Sequence, residues 1–125
     1  VIKLPRVGLL LNEVMKKDSL WNNGAAIVAM ITYTMNNPEI AGESEKLARQ
    51  YFDTAVNVSN GMDLGPYIAI AESVSKLNQN RNEFIQLLNQ ALDIDINSNP
   101  DLRLANIISR NRAEWLLANV DEFFY

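Results

Sequence analysis

The chain has 125 residues, 48% of them hydrophobic and 21% charged, a net charge of -4, and neither cysteine nor histidine. That length suits a single domain, and the apolar fraction is too high for a disordered chain. Without cysteine there are no disulfides, thiolate nucleophiles or sulfur-ligated zinc sites, and without histidine there is no Ser-His or Cys-His pair. What survives is carboxylate or lysine chemistry, or a protein that binds and does not catalyse.

The chain opens on Val1-Ile2-Lys3-Leu4-Pro5. This start suggests a processed product or a piece of something longer, and it shows no basic stretch leading into an apolar signal core. The first expected helix is Pro5–Lys17, with Leu9, Leu10, Leu11 and Val14 facing inward. Asp18-Ser19 is a capping signal for a second helix, Leu20–Met35, which Asn36-Asn37-Pro38 ends. Its apolar stretch, Gly24 to Met35, is 12 residues long, against the roughly 20 that span a bilayer. It therefore reads as a core helix.

A third helix is expected over Ser44–Ser59, carrying Leu47, Ala48, Tyr51, Phe52, Ala55 and Val56 and stopping at Asn60-Gly61. Asp63-Leu64-Gly65-Pro66 opens a fourth, with Tyr67, Ile70, Val74 and Leu77 on one face. The turn Gln79-Asn80-Arg81-Asn82 leads to a fifth, about Asn82 to Leu92, with Phe84, Leu87, Leu88 and Ala91 inward. Asn99 then caps a sixth helix, with Pro100 in its first turn. Short connections between helices of this size imply antiparallel hairpins.

Two of these hairpins share a pattern. Leu20-x-x-Asn23-Gly24-x-x-Ile27 precedes Ala48-x-x-x-Phe52-x-x-Ala55, and Leu64-Gly65-x-x-Ile68 precedes Phe84-x-x-x-Leu88-x-x-Ala91. A small residue in one helix admits the other closely, as in tetratricopeptide hairpins. The fold expected is all-α: stacked antiparallel helical hairpins in a tetratricopeptide-like α-α superhelix of about six helices, one domain over residues 5–124.

On a helical wheel for the last helix, Arg103, Arg110, Glu114 and Asp121 share one narrow arc near 260° from Leu104, and almost everything else is apolar, Trp115 and Ile108 included. Such a helix either crosses the centre of the stack or completes a contact with another chain. Arg112 falls inside the apolar arc, where a buried guanidinium needs a partner, and Glu72 and Glu83 are the candidates. A structural ion pair, a ligand-facing arginine in a cleft and an arginine snorkelling to the surface all fit that position.

Other chemistry finds little support. The acidic clusters Glu43/Glu45, Asp93/Asp95 and Asp121/Glu122 lie at helix ends or on polar faces. Asp93-Ile94-Asp95-Ile96-Asn97 lacks the glycine and final glutamate of a calcium loop. No phosphate-binding loop and no basic stripe for nucleic acid are present. Asn57-Val58-Ser59 matches a glycosylation acceptor. Trp21, Trp115, Tyr33, Tyr51, Tyr67 and the methionines suit a core, or a groove for an apolar ligand between hairpins.

Gly65-Pro66-Tyr67-x5-Ser73-Val74, followed by Gln79-Asn80-Arg81-x-x-Phe84-x-x-Leu87-Leu88-x-x-Ala91-Leu92-x-x-Asp95, resembles the T component of TRAP-type transporters, the TatT family. So do Pro100-x-x-Arg103-Leu104-Ala105-Asn106 and Arg112-Ala113-x-Trp115-Leu116-Leu117-x-x-x-Asp121-Glu122-Phe123-Phe124. The resemblance implies a non-enzymatic, self-associating periplasmic lipoprotein whose lipid anchor precedes this stretch. Its partner would be the solute-binding subunit of a tripartite, ATP-independent transporter. No cofactor and no metal are implied. The candidate partner- or ligand-binding residues are Tyr67, Arg103, Asn106, Arg112 and Trp115. The alternative is a small-molecule carrier holding an apolar ligand between its hairpins.

Overall fold

A computed structural model describes residues 25–37 and 43–125. The expected helix Pro5–Lys17, the Asp18-Ser19 cap and the start of the second helix at Leu20 lie outside the described residues. The regular structure of the described residues is all helical: α1 (Ala25–Met35), α2 (Ser44–Val58), α3 (Gly65–Ile70), a π-helical segment (Ala71–Ser75), α4 (Arg81–Leu92) and α5 (Arg103–Ala118). Single 3-10 turns at Pro100–Leu102 and Val120–Glu122 flank α5. None of these helices is long and apolar enough to cross a membrane.

Local chemistry explains the boundaries. α2 ends where Asn60 and Gly61 enter the left-handed region at φ 54° and 73°, the backbone that glycine and asparagine adopt most readily. The side chain of Asn80 accepts from the N–H of Glu83 at 3.1 Å, which caps α4. Asn99 accepts from the N–H of Asp101 at 3.0 Å, and Pro100 opens the 3-10 turn that feeds α5. Asp63 accepts from the N–H of Gly65 at 2.8 Å, and a β-carbon at Gly65 would lie 3.1 Å from that same carboxylate oxygen. The glycine lets this turn close tightly enough to start α3.

Two apolar clusters hold the helices together. Leu64, Ile68, Ala71, Phe84, Leu88, Ala91, Ala113 and Leu116 join α3, α4 and α5, and Phe123 and Phe124 of the tail pack against them. Ile31, Ala48, Ile70 and Val74 join α1, α2 and α3 with the π segment. The small residues at the repeated positions, Ala48, Ala55 and Ala91, are all fully buried, as close helix approach requires. α1 packs most extensively on α2.

The fourth expected helix departs from expectation at its second half. Five residues, Ala71–Ser75, are π-helical, with Lys76 donating to the carbonyl of Ala71 at 3.0 Å and Asn80 to that of Ser75 at 2.9 Å. The wider i→i+5 turn rotates everything after it. Leu77, expected beside Ile70 and Val74, is instead 68% exposed, while Ser75 is fully buried. Gln79, at φ 55°, turns the chain toward α4.

Candidate functional site

The five residues singled out by sequence divide into an interior group and an exposed one. Asn106, on α5, is fully buried. Its carbonyl oxygen accepts from the N–H of Leu64 at 3.0 Å and its NH₂ donates to the carbonyl of Met62 at 2.8 Å. One amide thereby satisfies a donor and an acceptor of the loop before α3. It fixes that loop and has no surface to offer a partner. Tyr67 is half-buried, its ring edge-on to Phe52 with centroids 5.2 Å apart.

Arg103, Arg112 and Trp115 lie on the outside of α5. Arg112 corrects one expectation: its guanidinium is half-exposed, not buried. The wheel placed it beside apolar residues, but the neighbours of α5 cover only the side carrying Leu102, Asn106, Ala113 and Leu116. Of the two candidate partners it takes Glu72, in the π segment; its Nε donates to Oε1 at 3.1 Å, and a terminal nitrogen donates to the same oxygen. It also lies 5.1 Å from the Trp115 ring, within cation–π range.

Trp115 is 49% exposed and tilted against Phe123 at 5.9 Å. Two further large residues share its side of the helix: Leu104 is 72% exposed and Ile108 62%. Sequence reasoning counted both as apolar positions needing cover. They are instead the uncovered stripe, with Trp115 braced at one end by Arg112 and Phe123.

Glu83, the other candidate for Arg112, belongs to a separate network. Arg49 of α2 donates to both of its oxygens at 3.1 Å, and buried Ser75 donates to it at 2.7 Å. Burial pushes the Glu83 carboxyl up, but the bonds from Arg49 and Ser75 outweigh burial and leave it below the ordinary carboxylate range. Hydrogen bonds from Asn78 and Arg49 likewise lower Glu45. Arg49 and Glu83 are 34 residues apart in the chain, and no sequence signal pairs them. This network ties α2, the π segment and α4 together.

A cleft of about 650 Å³ opens between the end of α1, the π segment and the tail, lined among others by Met35, Glu72, Lys76, Leu77, Phe123 and Tyr125. The Lys76 ammonium lies 4.7 Å from the Phe123 ring centre. Gln79 holds the tail in place: its NH₂ donates to the carbonyl of Phe123 at 3.1 Å and its oxygen accepts from the N–H of Tyr125 at 3.2 Å. Among the described residues no group of three or more acidic side chains could hold a metal ion. Among the described residues Asp63 is the carboxyl that is raised on balance, by burial, partly offset by the bond from Gly65, and that bond closes a turn.

Comparison with known proteins adds two findings. A family model described as the TRAP transporter T-component matches residues 1–124. A protein of Treponema pallidum (strain Nichols), described only as uncharacterized, is 30% identical over 104 residues, which make up 83% of this chain and 32% of that protein. The chain thus spans about a third of the length of this curated relative.

Proposed function

This chain belongs to the TRAP transporter T-component family, and we propose that it acts as a non-enzymatic accessory subunit of such a transport system, docking the periplasmic solute-binding subunit. The observation that carries this reading is the uncovered stripe Leu104, Ile108 and Trp115 on α5. Three large apolar side chains on one exposed face, with an aromatic braced by an arginine, have the composition of an interaction hot spot. Arg103 and Arg112 border that stripe. In this reading Asn106 and Tyr67 position the scaffold from inside. Among the described acids, Glu45, Glu72 and Glu83 are engaged in bonds that hold the helices together.

The further features of the proposal are a tetratricopeptide-like stacking of the helices, self-association, and a lipid anchor attached outside this chain. The test is co-purification from the periplasm with the solute-binding subunit encoded beside its transporter's membrane subunits. The expected result is recovery of that subunit at low salt and its loss on Trp115→Ala. Failure to recover any solute-binding subunit, with the protein folded, overturns the reading.

A second reading, a carrier for an amphipathic small molecule, draws on the 650 Å³ cleft, whose size falls within the range of ligand pockets. Native mass spectrometry of freshly isolated protein distinguishes it: a ligand-free spectrum throughout removes the carrier reading.

A further inference from the structure

The joint between α2 and α3 holds a chemically labile pair of residues. Asparagine is among the thermolabile side chains, because its amide carbon lies within reach of the next residue's backbone nitrogen. Glycine in that next position leaves the nitrogen without a side chain to hinder it. Asn60-Gly61 is such a pair, and Asn60 is exposed just beyond the end of α2. Neighbouring elements give the glycine no steric cover. A β-carbon placed there would meet nothing beyond its chain neighbours within 4 Å.

The backbone supplies cover of another kind. The N–H of Gly61 donates to the carbonyl of Val56 at 2.9 Å, and that of Asn60 to the carbonyl of Asn57 at 3.2 Å. These are the two bonds of a Schellman closure, with Asn60 and Gly61 at φ 54° and 73°. The nitrogen that would attack Asn60 is therefore the one whose proton is tied into the helix end. Beyond the pair, Met62 donates to the carbonyl of Ser59 at 3.1 Å, and Asn106 holds Met62 and Leu64 from α5. The turn is fixed on both sides.

We infer that Asn60 is a modification site, open to succinimide formation and deamidation, which the Schellman closure shuts in the folded chain and fraying of the α2 end uncovers. In the first step a base from solvent removes the Gly61 amide proton and the nitrogen forms a bond to Cγ of Asn60. The side-chain nitrogen takes up a proton and leaves as ammonia. Water then adds to one of the two ring carbonyls and breaks its bond to the Gly61 nitrogen, leaving aspartate or isoaspartate at position 60. Either product strains the joint. A new carboxylate meets the partial negative charge of a helix C-terminus, and isoaspartate adds a methylene to the backbone just before the loop that Asn106 fixes.

The route to the reaction is local. Asn60 stands at a helix end held by exposed backbone bonds, whereas the core beneath it, Ala48 and Ala55 included, is fully buried. Frayed ends open at a far smaller free energy than the whole fold does.

The test follows the whole protein in mildly alkaline buffer. Peptide mapping by mass spectrometry reads the mass gain at Asn60 and resolves it from the chain's other Asn-Gly pair, Asn23-Gly24. Loss of Asn60 is expected to be at least about tenfold slower in the folded chain than in the same chain unfolded in guanidinium chloride. The folded rate is expected to stay flat at denaturant concentrations well below the unfolding transition. The modified fraction, separated by anion exchange on its added charge, is expected to unfold at a lower denaturant midpoint than the parent.

Equal rates in the folded and unfolded chains would show that the closure gives no protection, and would sink the inference. So would the lack of any mass gain at Asn60 in the unfolded chain. A folded rate that climbs with low denaturant in step with global unfolding overturns the local route. Identical midpoints for the modified and parent proteins overturn the strain assigned to the joint.

Discussion

α4 and α5 are neighbours of comparable length that contribute to the same apolar cluster, yet their outer faces differ in kind. The exposed positions of α4 are Arg81, Asn82, Gln86, Asn89 and Gln90, all polar, whereas those of α5 include Leu104, Ile108 and Trp115. Both inner faces are fully buried, through Phe84, Leu88 and Ala91 on one and Asn106, Ala113 and Leu116 on the other. Packing among the described helices therefore does not account for the apolar outer face of α5. The contrast separates residues that hold the fold from residues that leave the fold unaffected, and substitutions on each side of the line should behave accordingly.

The largest effect is expected inside. Phe84 is fully buried and meets Phe124 edge-on at 5.1 Å and Phe123 at 6.0 Å. Phe84→Ala should destabilise by about 3–5 kcal/mol, read as a fall in urea midpoint at unchanged slope. Asn106→Ala comes next. Removing this amide leaves the N–H of Leu64 and the carbonyl of Met62 without it, at about 1–3 kcal/mol for a buried group left unsatisfied. Hydrogen exchange at Leu64 should accelerate in step.

Acid sensitivity is expected to come mainly from the α2–α4 network. The folded-state pKa values of Glu83 and Glu45 are lowered from 4.5, so their stabilisation is fully present above that value and is lost as pH falls through the lowered ones. Asp63 has the opposite sign: it is raised above 3.8, so its ionisation weakens the fold as pH rises through the raised value. Glu83→Gln should reduce stability at pH 7 and flatten its decline below about pH 4.5. A decline as steep as the parent's would place the acid-labile group elsewhere.

The smallest effects belong to the outer face. With its guanidinium half-exposed, Arg112→Ala should change stability by about 1 kcal/mol or less; a loss of about 3–5 kcal/mol would mean the pair with Glu72 is an interior one. Leu104→Gln should shift the midpoint by no more than about 0.5 kcal/mol while weakening partner docking. Should Leu104→Gln unfold the protein, the distinction between the two helices collapses.

Much of the helical layout was legible because it is written locally. Asn99-Pro100, Asn60-Gly61 and the inward set Phe84, Leu88 and Ala91 each announce a start, a stop or a face through chemistry contained within a few residues. The π segment was not legible, since Ala71-Glu72-Ser73-Val74-Ser75 has a composition equally suited to an α-helix, and only tertiary packing reveals the wider turn. Arg112 shows a related limit. A wheel reports that a helix is apolar all round, but which side its neighbours cover is a property of the whole fold. The candidate site was visible as residues and not as a surface: Leu104 and Ile108 fitted either a central helix or a contact with another chain, and Asn106 looked like a contact residue until its two loop bonds were seen.

The π segment carries a consequence for how this chain tolerates change in length. A π turn is the form a helix takes when one residue too many is threaded between two fixed ends. Here the ends are fixed by Ile70 in the apolar cluster and by Ser75 bonded to Glu83. Deleting one residue within the turn, such as the half-buried Ser73, would restore α spacing with both ends in place, leaving Ser75 on Glu83 and Leu77 outside. A single-residue insertion in this turn would instead carry Ser75 off Glu83, lose that hydrogen bond and re-aim Glu72 away from Arg112. The reading frame of the helix, as much as the identity of its side chains, keeps Trp115 braced on the outside.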